Sequence, residues 1–315
     1  MFGSIENIVD GIFYCVLAGS VCAWIWLART KISQQLPILE PQSRNLPFWT
    51  LKEFFVCFGM FIVCTAASQT ISRRWMSPTV VEELSKETLD FSKLPADDML
   101  ILILMGSVSS LLAMLSVLVW MNLISRRQLN TFGLWPSWTD IKLGCQAAFL
   151  ILPPVLLLST LIVQFVAYEH QVLDVIGTQP TLQSLLMITI TTVLFTPIFE
   201  EFTFRVLLQG GAEQVARRIK MTGGLEKLPE HLHVDPIPAS EVVTWAWWPI
   251  VMASATFAAM HIGQGAAPIP LFFLAFALGY LYRQTGRMWP CVVVHMILNG
   301  FTLVIANLQV YLAPS

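Results

Sequence analysis

Eight runs of apolar residues follow one another along the chain, near 8–28, 52–72, 98–124, 141–167, 182–208, 246–264, 268–283 and 289–311. A run of about twenty such residues crosses a bilayer as a helix, because only a helix satisfies its own backbone polar groups in hydrocarbon. The pattern predicts an all-α fold, a polytopic transmembrane helix bundle of about eight spans. The charge content agrees. Only 12% of the 315 residues are charged, against about 25% in a soluble domain whose whole surface faces water. The first run is preceded by Glu6 and by no Lys or Arg, so it reads as a retained span and not as a signal peptide.

No soluble domain fits between the spans. The longest hydrophilic stretches are 73–97 and 210–245, and the sixth and seventh runs are joined by the short Gly263–Pro270 connection. The division expected is an N-terminal set of helices over 1–125 and a core over 126–315 that carries the polar motifs. The formal charge of −2 and the lack of a Lys/Arg stripe argue against nucleic acid as a partner. The six cysteines lie inside apolar runs without metal-ligand spacing, as small buried hydrophobes do.

Basic residues set the expected orientation. Arg29, Lys31, Arg44 and Lys52 fall in the first loop, Arg126, Arg127 and Lys142 in the third. Arg217, Arg218, Lys220 and Lys227 fall in the fifth, and Arg283 and Arg287 in the seventh. The odd loops are therefore expected to be cytoplasmic and both termini external, in a multi-pass protein of the plasma membrane if the source is bacterial. Losing one span would break that pattern.

Charge inside the runs is the exception that points to chemistry. The fifth run reads Phe199-Glu200-Glu201-Phe202-Thr203-Phe204-Arg205. An ionisable side chain at membrane depth costs at least about 2.5–3.5 kcal/mol, so it marks a pathway, a site or an ion pair. In a regular helix Glu201 and Arg205, four apart, share a face and pair, while Glu200 lies about 100° away and points elsewhere. Pro197 should kink the helix and free a carbonyl. With a cytoplasmic exit near Leu208, Glu200 would lie about 12 Å inside the membrane. Phe257 and His261 share a face of the sixth run, and His295 and Asn299 share one of the eighth. Three helices thus each present a polar face. His231 and His233, beside Glu230 and Asp235, read as a solvated loop, and His170 as a loop residue without evident role. Trp245, Trp247 and Trp248 read as an interfacial belt.

Glu200-Glu201-x-x-x-Arg205, Phe257-x-x-x-His261 and His295-x-x-x-Asn299, in that order, resemble the type II CAAX prenyl endopeptidase and bacteriocin-processing (CPBP, or ABI) family. Leu278–Gly286, Trp289-Pro290 and Phe132-Gly133-Leu134 extend the resemblance over roughly 130–305. It implies an intramembrane endopeptidase acting on a membrane-associated or lipidated protein or peptide, with membrane lipid as its surroundings. Glu200 and His261 would activate a water, and His295 and Asn299 would form the oxyanion hole. Glu201 and Arg205 would hold the helix, with Glu201 also able to touch substrate. Glu200, His261 and His295 could instead supply a His₂Glu zinc site. Asn299 on the face of His295 fits oxyanion binding better than zinc ligation, which favours the metal-free form. Two other classes fit the polar faces: a proton-coupled transporter, which should show an internal repeat that this sequence lacks, and a non-catalytic membrane scaffold.

Overall fold

The computed structural model describes residues 2–45, 47–83, 95–124, 133–166, 182–224, 237–243 and 246–312. Among them the chain is helical, with a single two-residue bridge between Arg44 and Ile237. The helices are α1 (Phe2–Thr30), α2 (Leu51–Ser72), α3 (Pro78–Glu83), α4 (Ala96–Ile124), α5 (Trp138–Val163), α6 (Leu182–Thr222), α7 (Ala239–Val243), α8 (Trp248–Ala259), α9 (Pro268–Thr285) and α10 (Trp289–Leu312). His170, Trp245 and the His231/His233 pair lie outside the described residues.

Among the described residues six helices are long and apolar enough to cross a membrane: α1, α2, α4, α5, α6 and α10. The protein is a polytopic helical bundle, but eight spans are not reached. Where 246–264 was expected to cross, α8 has 12 residues, about 18 Å against a hydrocarbon core of about 30 Å. Helix α9 has 18 residues and ends in the buried polar run Tyr282-Arg283-Gln284-Thr285, which is not a lipid-facing composition.

Helix α6 is unusual in its winding. Leu182–Ile188, Thr196–Glu201 and Gly210–Thr222 are α-helical, whereas Thr189–Phe195 and Phe202–Gln209 are π-wound. Pro197 accounts for the first widening. In α register its ring would press on the Val193 carbonyl, and it has no N–H to donate. The turn opens instead, and the Thr196 N–H bonds to the Thr191 carbonyl, five residues back. In the second widening a foreign donor enters the ladder, as Trp49 Nε1 donates to the Val206 carbonyl at 2.7 Å. The helix runs on to Thr222, well past the exit expected near Leu208.

The chain divides into two compact units. One comprises Met1–Thr50, Leu129–Glu169 and Phe204–Val294, the other Leu51–Gln128, His170–Thr203 and His295–Ser315. In the first, α1 packs on α5, α5 on α9 and α8 on α9. Gly19 lets α1 approach closely, since a Cβ there would lie 2.9 Å from the Phe149 ring. Pro154 removes the donor for the Leu150 carbonyl, and Trp24 Nε1 supplies one at 2.9 Å. Beside these prolines lies an apolar cavity of about 360 Å³ lined by Leu17, Ser20, Trp24, Pro153 and Leu157.

Helix α5 starts with a capping box in which the Ser137 hydroxyl and the Asp140 carboxylate each accept the other's backbone N–H. Arg287 donates to both oxygens of Asp140, and that bond holds its guanidinium above the usual arginine range. At Gly144 the beginning of α10 comes so close that a Cβ would stand 2.5 Å from Val293 Cβ and 3.0 Å from the Pro290 carbonyl. Gly144→Ala should therefore destabilise the protein by about 1–3 kcal/mol, the usual cost of overpacking. Thermal unfolding in detergent measures it, and a midpoint equal to the parent's would mean that the helices part freely there.

Segment 36–50 straps the polar ends of α6 and α9 within the same unit. Gln284 donates to the Leu39 carbonyl, the Gln42 N–H to the Gln284 carbonyl, and Gln214 to the Pro47 carbonyl. Arg44 Nη1 donates to the last carbonyls of α9, Tyr282 and Arg283, and lies 3.3 Å from Glu213. Side chains that would be stranded in lipid thus satisfy one another.

In the second unit α2 packs along α4, where a buried Ser109 hydroxyl donates to Ser68 at 2.9 Å. Met76, Val80, Met99, Leu100, Ile188 and Leu303 form a core that joins α3, α4, the start of α6 and the end of α10.

Candidate active site

Four of the six candidate residues, Glu200, Glu201, His295 and Asn299, belong to the second unit, where His295 meets both carboxylates and Asn299 bonds to the Thr192 carbonyl. Glu200 and Glu201 sit on the short α-wound segment between the two π turns of α6. His295 and Asn299 lie one turn apart on α10.

His295 stands between the two carboxylates. Its Nδ1 lies 3.0 Å from Glu201 Oε1 and its Nε2 lies 3.6 Å from Glu200 Oε2. The environments differ sharply: the side chain of Glu201 is fully buried and that of His295 almost so, whereas Glu200 retains 19% of its exposure. A carboxylate accepts, so Nδ1 carries the proton in the Glu201 contact. Glu201 therefore fixes the ring's tautomer and orientation, and Nε2 is turned towards Glu200. The 3.6 Å gap exceeds a direct hydrogen bond and lies within ion-pair reach.

Aromatic and small polar groups occupy neighbouring positions on α6 and α10. The rings of Phe61 and Phe199 lie 5.4 Å apart. The Thr203 hydroxyl meets Cys57 Sγ at 3.9 Å. Asn299 Nδ2 donates to the Thr192 carbonyl at 2.8 Å, a backbone partner that no sequence motif names.

Arg205 and His261 belong to the first unit. Arg205 is fully buried, with its guanidinium carbon 5.5 Å from the centre of the Phe257 ring. The rule that placed it over Glu201 assumed a regular turn. From Phe202 the backbone is π-wound, with i to i+5 bonds. His261 follows the end of α8, half-buried, and its ring lies 4.8 Å from that of Phe257. Its Nδ1 is 2.8 Å from the Phe257 carbonyl. A carbonyl can only accept, so Nδ1 holds the proton and Nε2 is the basic nitrogen. The Phe257/His261 spacing thus encodes a tautomer lock.

A zinc ligand set was one expectation. Among the described residues no group of three or more His, Cys, Asp or Glu side chains could hold a metal ion. The arrangement around His295 is a carboxylate–imidazole–carboxylate line. Chemically it can hold a proton, pass it on, and offer an imidazole N–H to developing negative charge.

Residues 182–301 match the family model described as type II CAAX prenyl endopeptidase Rce1-like, a stretch that begins with α6 and ends just beyond Asn299. Among curated proteins and among solved structures nothing matches the chain.

Proposed function

We propose that this integral membrane protein, whose residues 182–301 match the family model described as type II CAAX prenyl endopeptidase Rce1-like, cleaves a peptide bond of a membrane-associated or lipidated protein by a metal-free, glutamate-driven reaction. The observation that carries this reading is the His295 imidazole held between buried Glu201 and more accessible Glu200.

In this reading Glu200 is the general base. It takes a proton from a water as the water's oxygen adds to the scissile carbonyl. The negative charge that appears on the carbonyl oxygen is met by the Nε2–H that His295 carries in its imidazolium form, with its Nδ1–H held by Glu201 and the ring already oriented before the reaction begins. The proton on Glu200 then passes to the departing amine as the C–N bond breaks. His261 is assigned to water activation on its motif, and its Nδ1 bond to the Phe257 carbonyl leaves Nε2 as the nitrogen that would act.

The basic residues also support a cytoplasmic substrate entry. With α8 and α9 not counted as crossings, Arg283 and Arg287 join the fifth loop, and the excess of basic residues on one side survives six spans as well as eight. Both termini would then face the opposite side.

His261→Ala and His295→Ala should each lower cleavage of a membrane substrate by about 10²–10⁴-fold, the usual range for lost acid–base or oxyanion groups. A chelator should leave the parent's activity unchanged. Full cleavage by both variants would end the peptidase reading. Stoichiometric zinc that leaves together with activity would end the metal-free part of it.

A further inference from the structure

We infer that Asn299 is a positioning residue: it supplies the hydrogen bond that Pro197 cannot give to the Thr192 carbonyl, and in doing so fixes α10 against the π turn of α6 that precedes Glu200 and Glu201.

The inference follows from counting donors. In the widened turn the Thr196 N–H has gone to Thr191, so it does not serve Thr192. The Thr196 hydroxyl also goes to Thr191, at 3.0 Å. The next donor in register, five residues beyond Thr192, would be residue 197, and a proline has none. A carbonyl left so at membrane depth has no water to turn to, and its loss is costly. Asn299 Nδ2 meets that oxygen at 2.8 Å.

Two further features give the contact a consequence for the site. His295 and Asn299 are one helical turn apart, and they engage α6 at Glu201 and Thr192 respectively. The later residue on α10 meets the earlier one on α6, so the two segments run antiparallel and are pinned at two points. Gly300 keeps them close, since a Cβ there would touch Val193 Cγ1 at 3.7 Å. Either pin alone would let α6 turn about the other, and that rotation would carry Glu200 away from His295 Nε2. The same device occurs independently at α5, where Trp24 answers the carbonyl released by Pro154. The chain therefore meets a proline in an apolar helix with a side-chain donor from a distant helix, twice.

The role differs from direct contact with a substrate oxyanion, and a double-substitution cycle separates the two. Asn299→Ala and Asn299→Leu are each made in the parent and in Pro197→Ala, where residue 197 regains an N–H. Thermal midpoint and kcat/KM are measured for all of them in detergent. In the parent background both substitutions should lower the midpoint by about 2–8 °C, as a buried carbonyl loses its donor, and lower kcat/KM tenfold or more. In the Pro197→Ala background either should change the midpoint by less than about 1 °C. The midpoint arm reads the coupling even where Pro197→Ala shifts Glu200 and costs activity of its own. Equal falls in both backgrounds would overturn the inference. So would a parent midpoint retained by Asn299→Leu, which fills the space without a donor, or activity lost in both backgrounds at unchanged midpoint. The activity arm rests on the proposed hydrolysis. The midpoint arm does not, so failure of one reading is distinguishable from failure of the other.

Discussion

Glu200→Gln should remove peptide cleavage by about 10²–10⁴-fold while leaving the folded protein intact. Glutamine keeps the size and one oxygen of the carboxylate but cannot take a proton from water. The structural cost should be small, because Glu200 stands 3.6 Å from His295 and its side chain is 19% exposed. It is only partly buried there. The neighbouring carboxylate behaves differently. Glu201 is fully buried and holds His295 at 3.0 Å, so its amide variant should lose ring orientation as well as activity. Cleavage kinetics and a thermal midpoint on the same detergent preparation check the claim. Turnover within tenfold of the parent would remove Glu200 from the chemistry and leave the paired carboxylates as a structural clasp. In membranes, comparison of the proteome with parent and Glu200→Gln protein should reveal the uncleaved precursor.

The largest loss of stability is expected in the other unit, at Arg44→Met. The guanidinium and the Glu213 carboxylate are 3.3 Å apart, with 5% and 1% of their side-chain surface exposed. Removing one member of such a pair leaves a buried charge short of its partner, which costs about 3–5 kcal/mol. Arg44 also serves the last carbonyls of α9, Tyr282 and Arg283, and a methionine serves neither. Thermal unfolding of Arg44→Met should show a midpoint many degrees below the parent's. Adding Glu213→Gln should recover a good part of the fall, since the unmatched carboxylate is then gone while Gln209 still reaches residue 213. A midpoint unchanged in the single variant would mean that water enters this region and screens the pair.

The helices were plain in the sequence because a lipid-facing rod needs an unbroken apolar run, and α2, α4 and α10 begin and end within a few residues of their runs. What composition alone could not show was how polar segments are hidden. Helix α8 looked like a span because Ala246 to Gln264 is apolar, yet helical winding stops at Ala259. The polar end of α9 and the tail of α6 are sheltered by 36–50, a stretch without periodicity that gives no local sign of its role. Within the site, the helical spacing rule put Arg205 over Glu201. That rule is derived for regular winding, and the π turn from Phe202 is invisible to residue counting. Pro197 did announce a freed carbonyl in advance. That the answer would come from Asn299 could not be read, because a hydrogen bond across 107 residues depends on which helix arrives beside which.

That separation sets a clock on assembly. A ribosome adds roughly 5–20 residues per second, so the proline turn of α6 is synthesised about 5–20 s before Asn299. During that interval the Thr192 oxygen is in place and its eventual donor does not yet exist. His295 likewise trails Glu201 by 94 residues. The carboxylates of the candidate centre thus enter the membrane early and wait for the last described helix, so a nascent chain cannot act on its neighbours until α10 has docked.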